Sequence, residues 1–271
     1  MRKLMTVLVG FLMVVPTVAA AQPADGGLPD RPLTVMTYNI HHGAGTDGVL
    51  DLERIAVLIE QSGADVIGLQ EVDRHWSERS NWVDQSAWLA NRLGMYAAYA
   101  ANLDLPPLNA GEPRRQYGTA VLSKYPIQDF KNTFLPRYPA GEQRGLAVAT
   151  IIVKGAELRF ANTHLTHNNN AERLEQAQKV VQLLGKSNPP TLLVGDLNAT
   201  ADAPEIKTMT SVYADTWPEV GVGPGYTLSA DNPTKRIDYL LHSRQLRPTE
   251  ASVPMTQASD HLPVLASFVL S

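Results

Sequence analysis

Cysteine is absent from the 271 residues. A disulfide framework, a thiolate metal site and a cysteine nucleophile are therefore excluded. A lipid-modified cysteine behind an export leader is excluded as well. Internal repeats, low-complexity segments and Lys/Arg-rich runs are missing too. So is a long apolar hairpin of the kind that penetrates a bilayer. No HExxH pair is present, which disfavours a helix-borne zinc site. Basic residues do not interleave regularly with aromatics, so a base-stacking platform is not expected. With 27 acidic against 23 basic residues the formal charge is −4. Such a chain has no global attraction for a polyanion, which argues against a non-specific nucleic-acid binder.

What is present is an ordinary globular balance, 44% hydrophobic and 18% charged. The length fits one large α/β domain as well as two small ones. The N-terminus reads differently. Arg2 and Lys3 precede an apolar stretch from Leu4 to Val15, and Ala19-Ala20-Ala21 offers a small-residue cleavage site. This is the pattern of an export leader over residues 1–21, too short for a comfortable membrane span. Losing Arg2 and Lys3 leaves 21 basic against 27 acidic residues, or −6. Residues 22–32, rich in Pro, Gly and Asp, read as a flexible tether, and residues 33–271 as the folded domain. The expected location is the periplasm or the medium.

Hydrophobic periodicity predicts helices over 52–61, 84–93 and 171–184. Short apolar runs predict strands over 33–40, 64–69, 118–122, 127–134, 146–153, 157–163, 191–194, 236–241 and 262–270. Lys154-Gly155 marks a hairpin turn. Segments 102–116 and 215–234 read as loops. Strands outnumber helices, which are spread along the chain, so the class is α/β or α+β.

Polar residues recur where the strands end. Asn39 closes the first strand in TYNIHHG, and Glu71 follows the second in LQEVD. His164 ends another in NTHL. Asp196 and Asn198 follow a fourth in GDLNA, Asp238 lies in RIDY, and Asp260 and His261 stand in SDHLP. Converging on one rim, these would line a cleft with hard oxygen ligands, suited to Mg²⁺ or Mn²⁺ and compatible with Ca²⁺. His41-His42 is a tempting pair. Neighbours in an extended segment point to opposite faces, so joint ligation is not expected.

Taken together, these motifs resemble the endonuclease/exonuclease/phosphatase superfamily, from Thr37 to Pro263. One motif alone would be weak; the set in order is specific. The resemblance implies a four-layer α/β/β/α sandwich with two packed central sheets, and a metal-dependent phosphoester hydrolase. It implies Glu71 as the principal metal ligand, with Asn39 and Asp260 nearby. Asp196 would orient or deprotonate the attacking water, and Asn198 would support the phosphate. His261 would be the catalytic histidine with Asp238 as its carboxylate partner, and His164 a second histidine on the phosphate. Tyr117 and Arg144 are candidate substrate contacts.

Plainer readings stand beside these. Asp238 could pair with Arg236 or Lys235, and Asp196 with Asn198 could form a simple Asx turn. Arg79 and Arg114-Arg115 read as solvated charge, Trp76, Trp82 and Trp88 as packing, and Arg173 and Gln176 as structural anchors. For function, a phosphodiesterase acting on a small or lipid-headgroup phosphoester leads, with at most peripheral headgroup contact, no strong nucleic-acid binding and a monomeric state. A secreted nuclease and an inactive binding module are the competitors.

Overall fold

The computed structural model describes residues 31–270 apart from Ser187. The leader and residues 22–30 of the tether lie outside the described residues. Arg31 and Pro32, read as tether, are instead the first residues of strand β1 (Arg31–Asn39). They pair with Leu270 and Val269, and proline is tolerated there because it stands near the start of the strand.

Two six-stranded sheets pack face to face. The first has the order β11-β12-β1-β2-β4-β3, with β2 at Val66–Arg74, β3 at Tyr96–Leu105, β4 at Arg115–Ser123, β11 at Leu246–Ser252 and β12 at Val264–Leu270. The second has the order β5-β6-β7-β8-β10-β9. Its strands are β5 (Ile127–Phe134), β6 (Gly145–Val153), β7 (Ala156–His164), β8 (Thr191–Asp196), β9 (Ala214–Asp215) and β10 (Asp238–His242). The last residues of β3, Asn102 to Leu105, and the first two of β4 fall within the expected loop 102–116. Leu103, Asp104 and Leu105 pair with Tyr117, Gln116 and Arg115, so the connection spans only 106–114, where the three prolines sit.

Each sheet face explains a stretch of sequence. Between the sheets, Val35, Val121, Phe160, Val194 and Phe268 form a closed apolar layer. Outside the first sheet, α1 (Leu52–Ser62) and α2 (Gln85–Leu93) cover Met36, Ile67 and Leu122. Outside the second, α3 (Asn170–Leu184) and α4 (Pro204–Thr210) cover Ala161, Leu193 and Leu241. A short α5 (Thr216–Val220) closes the β10 side. This is the four-layer sandwich.

Local chemistry sets the helix ends. Asp51 accepts from the backbone of Glu53 and Arg54 at the start of α1, and Gly63 at φ 69° ends it. Loss of such a cap costs about 1 kcal/mol. Asn169 accepts from Glu172 N at the start of α3. Along α3, Arg173 pairs with Glu205 at 2.9 Å and Gln176 receives Thr166 N–H. Both are structural anchors, as read.

Candidate active site

The strands carry their polar ends to one edge of the sandwich. In the second sheet, β7 and β8 run parallel with His164 level with Asp196, and β10 sets Asp238 against Asp196 from the other side. Gly195 permits the first of these pairings. Its φ is 148°, and a Cβ there would strike the Thr163 carbonyl.

Asp196 is the hub. It is 1% exposed. Its Oδ1 accepts Asn198 N–H at 2.9 Å, so the Asx turn weighed from sequence does form. That turn leaves Oδ2 for the site. Asn39 Nδ2 donates to it at 3.1 Å, His164 Nε2 lies 3.5 Å away and His261 Nε2 3.7 Å. Burial, reinforced by the Asp238 charge, pushes this carboxyl up to about 7 against the pull of His261 and its hydrogen bonds. A carboxylate so raised is a competent proton acceptor near neutral pH.

His261 Nδ1 lies 3.0 Å from Asp238 Oδ2. Arg236, the rival partner, pairs with Asp215 instead at 2.7 Å. Burial alone would depress the His261 ring, but the Asp238 carboxylate, by charge and by hydrogen bond, outweighs it and pushes the ring up to about 10. His261 is therefore an imidazolium at neutral pH. His164 behaves oppositely. Burial first, then the Arg144 and His261 cations, hold it well below the usual histidine range. Arg144 NH1 lies 2.9 Å from His164 Nδ1. Nδ1 must then accept, which puts the neutral ring's proton on Nε2, facing Asp196.

The first sheet supplies a more open rim. Asn39 Nδ2 also donates to Glu71 Oε1 at 3.1 Å, while its Oδ1 accepts from His41 N. Glu71 sits on a β-bulge. Leu69 pairs with Ala120 and Val72 with Gly118, so Gln70 and Glu71 together face Thr119. Glu71 takes a left-handed φ of 57°, unusual for a non-glycine residue and a way of re-aiming a side chain. Asp260 is more remote. Its side chain is 45% exposed and 3.8 Å from His41 Nδ1. It joins the cluster through Ser259, whose Oγ lies 2.7 Å from the Asn39 carbonyl. Asn198 spends its side-chain N–H on Leu165 O.

Two sequence readings need correction. His41 and His42 are not extended: their φ values are 44° and 46°, and their rings meet edge to face at 4.5 Å. Arg79 is not merely solvated. It grips the fully buried Asp73 with two hydrogen bonds of 2.9 and 2.7 Å. Its guanidinium lies over Trp76 and over Tyr117, 5.7 and 5.5 Å from the ring centroids. It thereby roofs Tyr117 beside Glu71. The clue was a buried-type Asp in a strand with an Arg six residues on, and nothing in the pattern said that the chain would turn back.

Among the described residues, Asp196, Asp238 and His261 offer ligand-type atoms within 4.8 Å of one another. All three are buried, and His261 is already bonded to Asp238 as a cation, so this set suits proton transfer better than metal binding. The more open oxygen donors of Glu71, with Asn39 beside it and Asp260 further out, fit a hard divalent cation better.

The comparisons with known proteins bear on this geometry. The endonuclease/exonuclease/phosphatase family model matches residues 36–261. The chain belongs to that family. Its members are divalent-metal-dependent hydrolases of phosphoesters. The uncharacterised protein YbhP of Escherichia coli is 25% identical over 251 residues, covering 87% of this chain and 96% of its own. A family protein from Beutenbergia cavernae superposes with a TM-score of 0.75 at 28% identity, covering 89% of this chain and 72% of the other. A mannosyl-6-phosphatase from Bacteroides thetaiotaomicron superposes at 0.70 with 20% identity, covering 88% and 100%; this last likeness speaks for the fold alone.

Proposed function

We propose that the chain is an exported phosphodiesterase that hydrolyses a small or lipid-headgroup phosphoester by in-line attack of water. The observation that carries this reading is the buried Asp196, raised to about 7 and set between a neutral and a charged histidine. Asp196 takes the proton of the attacking water as its oxygen bonds to phosphorus. His164 offers Nε2–H to a non-bridging phosphate oxygen as negative charge builds, and His261 passes its charged Nε2 proton to the leaving oxygen as that oxygen's bond to phosphorus breaks. Asp238 holds His261 charged and oriented. Arg144, 3% exposed and in contact with His164, fixes the His164 tautomer and adds positive charge to the phosphate side.

Glu71, with Asn39 and Asp260 nearby, would hold Mg²⁺ or Mn²⁺. When bound, such an ion neutralises charge on the phosphate and acidifies nearby water. Export is supported by the basic start, apolar run and alanine triplet at the N-terminus. The choice of a small substrate over a nucleic acid rests on the acidic balance, since long duplexes need cationic tracking surfaces.

The test is a screen of purified protein with Mg²⁺ or Mn²⁺ against an aryl phosphodiester, phospholipids, inositol phosphates, RNA and supercoiled plasmid. Turnover of a small ester ahead of the polymers is expected. Plasmid nicking that outruns every small substrate and collapses with salt would overturn the substrate class, and full activity after EDTA dialysis would overturn the metal.

A further inference from the structure

The bulge that presents Glu71 belongs to the first sheet, yet its hydrogen bonding is completed from the second. Asn162 lies on β7, fully buried. Its Nδ2 donates to two carbonyls of the opposite sheet, Leu69 O and Ala120 O, both at 2.9 Å. Leu69 and Ala120 are the last paired residues before the ladder breaks at Gln70 and Glu71. Asn162 Oδ1 in turn accepts Gln70 Nε2 at 2.8 Å, and Gln70 also reaches Thr37 Oγ1 at 3.0 Å and Gly68 O at 3.1 Å. Gly68 makes room for this: a Cβ there would come within 3.0 Å of Asn162 Cγ and 2.5 Å of Val194 Cγ2.

We propose that Asn162 is the positioning residue for Glu71, an amide clamp from the second sheet that holds the β2 bulge and so presets the metal rim. Its amide is fully used at the bulge: one N–H goes to Leu69 O on β2, one to Ala120 O on the paired β4, and the carbonyl accepts from the Gln70 side chain. The neighbouring pull is severe, because Glu71 sits in a left-handed conformation that costs free energy unless its surroundings fix it. The same strand carries His164, two residues further on, to Asp196. One strand thus delivers a proton-transfer residue and, from between the sheets, sets the ligand on the opposite side of the cleft. Asn162 acts at one remove, through the Leu69 and Ala120 carbonyls that flank the bulge and through the Gln70 side chain within it.

The inference rests on the reading of Glu71 as a ligand, and the experiment separates the two. Mn²⁺ binding is titrated calorimetrically without substrate for the native protein, for Asn162→Leu and for Leu158→Ala. Leu158 is fully buried on the same strand, six residues from His164 and among the intersheet apolar residues, so its truncation lowers stability without touching the bulge. The expected result is a rise of about 10–100-fold in the Mn²⁺ dissociation constant for Asn162→Leu, the size usual for losing a residue that orients a ligand, with Leu158→Ala close to native. Equal Mn²⁺ affinity in Asn162→Leu and the native protein overturns the clamp, and so does an equal weakening in both variants, which would mark general destabilisation. If Asn162→Leu does not fold, Asn162→Ser, which keeps a single donor, takes its place with the same expectations. Failure of the native protein to bind Mn²⁺ would sink the ligand reading of Glu71 itself, a different outcome.

Discussion

The two sheets contribute unlike halves to one cleft. The second sheet brings His164, Asp196 and Asp238 on regular strand ends, all but sealed from solvent. The first brings Glu71, His41 and, through the loop before β12, Asp260, all partly open and partly on left-handed backbone. The contrast matches the division of labour proposed for the two halves. Proton transfer needs groups whose proton affinities are preset, and only burial beside chosen charges moves a carboxyl to about 7 and an imidazole to about 10. Ligands for an exchangeable ion and an incoming phosphate must instead be reached from water, and irregular backbone is how a strand turns a side chain out of the ladder. His261, although it comes from the open side, is drawn into the buried half by Asp238.

The contrast can be broken at four points. The largest effect is expected in the buried half. His261→Ala and Asp238→Ala should each lower turnover by about 10²–10⁴-fold, and the double variant should be scarcely worse than His261→Ala, because residues that act as a unit are not additive. A double-mutant cycle on turnover, with melting curves to confirm folding, checks this; fully additive losses would dissolve the pair. Next comes the open half. Glu71→Gln should weaken Mn²⁺ binding by at least about 10-fold, read by calorimetry without substrate, while the melting temperature of the metal-free protein stays near native. A Glu71→Gln protein that binds Mn²⁺ normally would move the ion elsewhere.

The third test sharpens the pH argument. The Asp196 base must be ionised, so activity should rise with pH through about 7, or lower where a bound cation favours the carboxylate. The His261 acid must be protonated, so activity should fall as pH passes about 10. Asp238→Asn removes the charge that raises His261, and the alkaline limb should drop towards the ordinary histidine value of 6.5. An alkaline limb unmoved in Asp238→Asn would assign it to another group. Stability carries the same sign. A His261 raised above its unfolded value stabilises the fold fully below about 6.5, and that contribution disappears as pH climbs through about 10.

The smallest effect belongs to the support beneath the open half. Arg79→Ala leaves the buried Asp73 carboxylate without its cation. A lost partner of a buried charge costs about 3–5 kcal/mol, less here because the Arg79 side chain is 40% exposed. The melting temperature should fall by about 2–4 °C per kcal/mol lost. An unchanged melting temperature would mean that the fold does not depend on the Arg79–Asp73 pair.

Much of this was legible in the sequence because one signal repeats. Asn39, Glu71, His164 and Asp196 each follow an apolar run, and a polar residue at the mouth of a buried strand has few structural reasons to be there. What escaped notice had weaker patterns. The strands β3 and β11 are the edges of the first sheet. Edge strands need little apolar alternation and carry charge or proline to discourage pairing. Hence YAAYAANLDL and LRPTEAS carry too little pattern to be assigned as strands. The bulge at Glu71 was invisible too, since it arises from a ladder mismatch with β4 that only pairing reveals. The same holds for Arg79, whose partner depends on a loop returning to its own strand, and for the His41-His42 turn, which breaks the extended geometry assumed from the strand before it.

Gly195 limits which sequences this cleft can accept. The separation between His164 and Asp196 is fixed by how closely two parallel backbones can lie, and at this point they lie where a methyl group would have stood. Alanine is the mildest replacement available, yet its methyl group would meet the Thr163 carbonyl and wedge the strands apart one rung from His164 and Asp196. In a library of all single variants, position 195 should therefore behave like a catalytic position, intolerant of every substitution, although it has no side chain with which to do any chemistry.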